Sequence, residues 1–395
     1  MEPVETNQYE EEFMKKIQNE FDSKEDFLEK SLINEIKQTI NLLENKCQGK
    51  MGESVVDDRI RQLSYAKVLV DIYKKPISLL IEPSSKLGEA YFDIKYYPQA
   101  KEHIENAIQY NNDPSNTESE TLQPDYYLRL IVKLSKCNLE TGLYESSLEL
   151  AERALSENKK IFGEDDVTNA EIYDIMYQCE KKLENYPQAI EYLKILYNLY
   201  EKIYNNISER CAFVCNEIGD IYLLLKQVKE ALDYYIKYYK IKEELVKENN
   251  KIEELFQIAI KIGELYADQK EYDKAYEILK KTDEYSNGYN RTVKDRVIYQ
   301  RLICSVASFF PDNSDCHLNE LLKLEDILKD YNENQKTLAR TYLQIGHIYK
   351  KKKELTSSLE YFIKAQKIFI EHQDTKLLED VNKIIKQIEE EIDNM

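Results

Sequence analysis

The chain has 395 residues, with 55 Lys+Arg against 74 Asp+Glu and a net charge of −19 at pH 7. Only 9 residues are Gly and 8 are Pro, about a third of their usual ~12% share, too few for the turns of a β-sandwich or the phosphate loops of a doubly wound α/β enzyme. The acidic balance argues against a nucleic-acid partner, which needs a basic face to displace phosphate counterions.

Residues 1–10 are acidic and lack an apolar stretch, so they read as neither a secretory signal nor a transit peptide, and the expected location is cytoplasmic. No apolar run approaches ~18 residues, so no direct membrane insertion is expected. Residues 10–48 predict two amphipathic helices broken near Asp22-Ser-Lys-Glu, and 55–75 predict another, closed by Pro76. Residues 1–80 thus read as an N-terminal helical cap or divergent repeat.

From residue 81 a block recurs: Leu/Ile-Gly, a Tyr three residues on, then an aromatic-x-x-Ala and a further Ala. It reads Leu87-Gly88 with Tyr91, Ala100 and Ala107. It returns as Gly142, Tyr144 and Ser147 with Ala151 and Ala154, and weakly as Tyr173, Tyr186 and Ala189. It is clear again at Ile218-Gly219 with Tyr222 and Ala231, at Ile262-Gly263 with Tyr266 and Ala275, and at Ile345-Gly346 with Tyr349 and Ser358. Repeat starts near 81, 128, 170, 212, 256 and 339 leave one gap of double length, which predicts a degenerate repeat near 297–338 with helices over 293–309 and 317–331, split by Pro311-Asp-Asn-Ser. The polar stretch 111–121 predicts a mobile loop. Residues 373–395 carry a last apolar stripe (Leu377, Leu378, Val381, Ile384, Ile385, Ile388), the pattern of a capping helix.

These residues resemble the tetratricopeptide repeat (TPR), a helix–turn–helix unit, over roughly 81–372. The spacing of about 42 exceeds the standard 34 by about two helical turns. It resembles the TPRs of kinesin light chains and related adaptors, as does Phe162-Gly-Glu-Asp-Asp-Val167. The resemblance implies an all-α fold, a TPR-type right-handed α-solenoid of about seven repeats with helical caps at both ends. In such a unit Gly88, Gly219, Gly263 and Gly346 are expected to face Ala100, Ala231, Ala275 and Ser358, small residues that let two helices approach closely. The recurrent tyrosines are expected to fill the gap to the neighbouring repeat.

No His-Glu-x-x-His, P-loop, dinucleotide loop or Gly-x-Ser-x-Gly elbow occurs, and no cofactor or enzymatic activity is expected. The seven cysteines are irregularly spaced, which fits free thiols in a reducing compartment. Cys211 and Cys215 share a helix face but lack two further zinc ligands nearby, so no metal is expected. In TPR arrays the first helix of each repeat lines the concave wall. Positions one and five after the Gly, one turn apart, place Glu89 and Asp93, Asp220, Glu264 and Asp268, and His347 and Lys351 on that wall. Positions three before the Gly, or its equivalent, add Asp174 and Asn216. Co-chaperone TPRs grip a peptide carboxylate with Lys and Asn at matching positions, and that clamp is missing. The wall reads as acidic, suited to a basic or mixed-charge partner segment. The resemblance to adaptors implies a non-catalytic scaffold in a hetero-oligomeric complex, in a cytoskeletal, motor or ciliary (axonemal) setting. Bacterial TPR regulators with an N-terminal helical bundle, which sense peptides and act on response regulators, resemble the same layout and form the alternative.

Overall fold

The computed structural model describes residues 29–249, 252–286, 292–310, 314–329 and 335–394. The chain divides into two compact units, one through Asn205 and one from Asn206. Among the described residues the regular structure is entirely helical. Unit 1 holds α1 (Glu29–Cys47), α2 (Glu53–Asp71), α3 (Ile81–Asp93), α4 (Tyr97–Asn111), α5 (Pro124–Glu140), α6 (Tyr144–Phe162), α7 (Val167–Lys182) and α8 (Tyr186–Tyr204). Unit 2 holds α9 (Glu209–Leu224), α10 (Val228–Asn249), α11 (Glu253–Asp268), α12 (Tyr272–Asp283), α13 (Val293–Ala307), α14 (Ser314–Lys329), α15 (Gln335–Lys351), α16 (Leu355–Glu371) and α17 (Thr375–Asp393). The helix predicted N-terminal to Asp22, the Pro311 connection and the end of the helix predicted to reach residue 331 lie outside the described residues.

Within each unit the helices pair as hairpins, seven from α3 to α16. Polar N-caps start several of them. Asp166 accepts from the Thr168 amide at 2.9 Å, Ser208 from Cys211 at 3.2 Å and Thr292 from Asp295 at 3.2 Å, each meeting one orphan donor of a helix start. Pro98, Pro124 and Pro187 stand in first turns, where the missing N–H costs nothing.

The turn inside six of the seven hairpins, those whose turns are described, has one recurring geometry. Lys95, Gly142, Glu184, Lys226, Lys270 and Lys353 all have positive φ, from +58 to +83°. Each follows its helix as the left-handed residue of a Schellman motif. For Lys270, its own amide bonds Ala267 O and the next amide, of Glu271, bonds Tyr266 O, both at 2.9 Å. A side chain in this region costs about 1–2 kcal/mol, from which glycine is exempt but for its greater unfolded-state entropy. Lys270→Gly is therefore expected to stabilise unit 2 by roughly 0.5–1 kcal/mol in urea unfolding. A loss of stability would show that the lysine side chain holds the turn.

The recurrent glycines mark the closest approach in four hairpins, and the side chain that covers each lies one turn past the small residue, although a Cβ on Gly88 would also face Ala100 O at 3.3 Å. A Cβ on Gly88 would meet Ile104, on Gly219 Tyr235, on Gly263 Leu279 and on Gly346 Phe362. Ala100, Ala231, Ala275 and Ser358 are fully buried at the crossing, and the large side chain beyond covers the glycine. Ser358 also donates to Gly346 O at 2.8 Å. The recurrent tyrosines, too, find ring partners within their own hairpin. Tyr91 stacks on His103, Tyr222 on Tyr234 and Tyr349 on Tyr361. The stretch predicted as a mobile loop is folded on itself: Asn111 accepts from the Leu122 amide at 2.7 Å, Asn116 donates to Tyr110 O at 2.7 Å, and Thr117 with Glu120 forms a capping box.

In unit 2, α13 lies between two cores. Tyr299, Ile303 and Val306 pack with α10–α12, while Val297 and Cys304 pack with α14–α17. Cys304 thus occupies the place that Gly263 and Gly346 hold in the neighbouring first helices. Cys211 and Cys215 are fully buried in α9, and burial pushes the Cys215 thiol up to about 12.

Candidate interaction face

The first helix of each hairpin buries most of its circumference and leaves one stripe open. On α11 the buried residues are Leu255, Phe256, Ile258, Ala259, Ile262 and Gly263. The stripe left open runs through Glu253, Gln257, Lys261, Glu264 and Asp268, three or four residues apart. A comparable open stripe holds Phe213, Asn216, Asp220 and Leu224 on α9, with Asn216, like Arg301 of α13, one residue before the position of Lys261. On α13 the stripe holds Lys294, Ile298, Arg301, Ser305 and Phe309, the last just past the helix end, and on α15 Lys336, Arg340, Gln344, His347 and Lys351. Of the residues singled out in the sequence, Asp220, Glu264, Asp268, His347 and Lys351 share one register on these helices, and Asn216 lies one residue beside it.

Asp220, unlike Glu264 and Asp268, is already partnered within the chain. Asp220 is only 33% exposed. It accepts from the Tyr235 phenol at 2.6 Å, from the Asn216 amide at 3.1 Å and from the Lys261 ammonium of the next first helix. Burial, then the Asp220 carboxylate, holds the Tyr235 phenol far above its ordinary value, so that proton stays on tyrosine. Glu89 in unit 1 is matched the same way: it accepts from Tyr126 and from Lys133 of α5, each at 2.9 Å. Asp174 accepts from Gln178 at 2.6 Å, and Gln178 accepts from Lys136 at 3.4 Å. The Glu89 and Asp220 carboxylates are internal rungs between successive first helices, whereas Asp174 is linked to Lys136 through Gln178. Asp93 is exposed. Glu264 and Asp268 are exposed and form no ion pair among the described residues.

Beyond Glu264 and Asp268 the wall changes sign. Helix α15 carries Lys336, Arg340, Lys350 and Lys351 and no acidic residue, and α13 carries Lys294, Arg296 and Arg301 against Asp295 alone. Lys350 turns to Glu391 of α17 at 3.5 Å, while Arg301, Arg340 and Lys351 are exposed. His347 meets the Phe362 ring edge-on at 5.0 Å. Partial burial, then the Lys350 charge, lowers its pKa below 6.5, so it is neutral at pH 7. Sequence reasoning missed Arg301, Arg340, Ile298 and Phe309 because it located the wall from its glycines. Cys304 hides that marker in α13, and the position six before the glycine was not considered. An unpaired basic pair of helices in a chain of net −19 was the available signal.

Comparison with known families finds a tetratricopeptide-repeat model matching residues 214–245 and 339–369, which are α9–α10 and α15–α16. No curated protein matches the chain. Among solved structures it is similar to BtubC (BKLC) from P. vanneervenii, at 19% identity over 60% of this chain and 92% of that one, TM-score 0.43. It is also similar to a putative kinesin light chain of Podosopora anserina with nearly identical TPR-like repeats, at 14% identity over 52% and 97%, TM-score 0.38. A third is aspartyl phosphate phosphatase F from Bacillus subtilis, at 16% identity over 91% and 88%, TM-score 0.43. Likeness at this level carries no functional information.

Proposed function

We propose that the chain, which carries tetratricopeptide repeats over 214–245 and 339–369, is a non-catalytic scaffold or adaptor whose second unit holds a partner segment across the open stripes of α11, α13 and α15. One observation carries this reading: the stripes pass from exposed carboxylates (Glu264, Asp268) to exposed cations (Arg301, Arg340, Lys351), none of them ion-paired among the described residues, within one unit. A partner segment with basic residues followed by acidic ones complements that order, and mixed charge fixes its direction as well as its presence. Exposed Ile298 and Phe309 between the two signs add apolar contact.

The wider setting follows the same reading. The scaffold belongs to a hetero-oligomeric complex. A cytoskeletal, motor or ciliary assembly is the setting we propose, in the cytoplasm. The partner is a protein and not a nucleic acid. No described helix is long and apolar enough to cross a membrane.

Native co-purification with cross-linking mass spectrometry tests this. Cross-links from Lys261, Lys294 or Lys336 to one stoichiometric protein are the expected result. Recovery of the chain alone would favour the peptide-sensing regulator instead. With a partner in hand, Glu264→Lys with Asp268→Lys, and separately Arg301→Glu with Arg340→Glu, are each expected to weaken binding at least tenfold at low salt. The loss should shrink as salt screens the pairs. Equal affinity in both double variants would refute the charge-ordered wall.

A further inference from the structure

Phe309 is 54% exposed at the end of α13, and its ring lies flat on Tyr272, the first residue of α12, with centroids 4.2 Å apart and planes within 3°. Unit 2 has two other stacked tyrosine pairs on its hairpins, and the chain covers each with its own cation. Lys237 lies 4.7 Å over Tyr234 of the Tyr222 pair, and Lys364 lies 4.3 Å over Tyr361 of the Tyr349 pair. Among the described residues no cation covers the Phe309–Tyr272 stack. Asp268, four residues before Tyr272, holds on α11 the stripe position that Phe309 holds on α13. Its carboxylate is exposed and unpaired among the described residues, at the C-terminal end of a helix, where the backbone dipole adds further negative charge.

We propose that this stack and Asp268 form the seat for an arginine side chain of the partner segment. The proposal rests on the reading of the wall as a partner site and adds where its basic end docks. An aromatic face attracts a cation through its quadrupole, and a carboxylate at the rim takes the guanidinium donors. Arginine suits the seat better than lysine, because a planar guanidinium stacks on the ring while its N–H groups point outward in the plane to the carboxylate. The chain supplies the cation for two of the three stacks and leaves that of the third to its partner.

The full chain contains no Trp, so F309W places a single indole in the seat and keeps an aromatic face there. Titrating F309W with acetyl-Gly-Arg-Gly-amide is expected to change the indole emission saturably. The lysine tripeptide should bind several-fold more weakly, and the citrulline tripeptide, neutral with nearly the same shape, at least tenfold more weakly. Asp268→Asn in the F309W background should weaken the arginine tripeptide at least fivefold. Arginine and citrulline tripeptides with the same affinity, or an unchanged Asp268→Asn variant, would overturn the seat. The two readings fail separately. Partner capture that is lost in the Glu264→Lys, Asp268→Lys variant but unchanged in Phe309→Ala keeps the wall and removes the seat. Arginine-selective quenching without any captured partner keeps the seat and removes the wall.

Discussion

Replacing Gly88 by alanine is expected to destabilise unit 1 by about 2–3 kcal/mol, although alanine gains about 1 kcal/mol of helix propensity over glycine. The added Cβ would stand 2.6 Å from Ile104 Cγ1, 3.0 Å from the Ile104 amide nitrogen and 3.3 Å from Ala100 O. Two of those three neighbours are backbone, so relief requires α3 and α4 to separate, and Leu87, Ala100 and Ile104, all at 0% exposure, would lose their contacts together. Gly219→Ala is expected to cost nearly as much, for a different reason. Its Cβ would meet three atoms of the Tyr235 ring at 2.5–2.9 Å, and that ring is buried and anchored through its hydroxyl to Asp220. Gly346→Ala meets the Phe362 ring at 3.0–3.2 Å and should cost less. Gly263→Ala meets only the end of Leu279 at 3.1–3.2 Å, and a small rotamer adjustment offset by propensity makes it close to neutral. The four variants test the ranking by urea unfolding. Equal gains of about 1 kcal/mol at all four positions would mean that helix propensity and not the hairpin crossing governs these sites.

The hairpins were legible because their signal is local. A glycine, a tyrosine three residues on and a small residue twelve on repeat often enough to fix the helix pairs, and the doubled gap exposes the α13–α14 hairpin although Cys304 replaces its glycine. The turns were not legible. A left-handed residue is ordinarily announced by Gly or Asn, and here four of six such positions are lysine. The charge state of the wall was hidden for a third reason. Lys133 reaches Glu89 and Lys261 reaches Asp220 across 44 and 41 residues of chain. Those separations fall close to one repeat, so the pairs emerge only when the residue two before one glycine position is set beside the residue one after the previous one. A composition count sees surplus acid, and only the stacking of repeats shows which carboxylates are already matched.

Glu320→Ala is expected to destabilise unit 2 by about 3–5 kcal/mol, the largest loss at any charged site considered. Glu320 is 3% exposed in α14, yet its carboxylate gathers groups from three helices. It accepts from Gln300 of α13 at 2.9 Å, from Tyr276 of α12 at 3.0 Å, and from the ammonium groups of Lys280 and Lys323, each at 3.2 Å. Burial alone would raise its pKa, but the Gln300 amide and the two lysines outweigh burial and hold it below the ordinary 4.5. Removing the acceptor takes one of the two bonds from the buried Gln300 amide, which keeps Glu320 O at 2.9 Å, and leaves two cations facing each other, and the cost comes from those groups more than from the pair itself. Glu320→Gln keeps the shape and one acceptor oxygen and should cost less, about 1–3 kcal/mol. The sign with pH follows from the depressed value. The contribution is complete above the unfolded pKa and disappears as pH falls through the folded one, so wild type and Glu320→Gln should converge in stability on acidification below about pH 4.5. Because repeats unfold locally, amide hydrogen exchange in α12, α13 and α14 is the appropriate readout. Faster exchange confined to those helices at neutral pH is the expected result. Unchanged exchange in Glu320→Ala would mean that the stacked apolar cores on either side of α13 hold the degenerate repeat without this carboxylate.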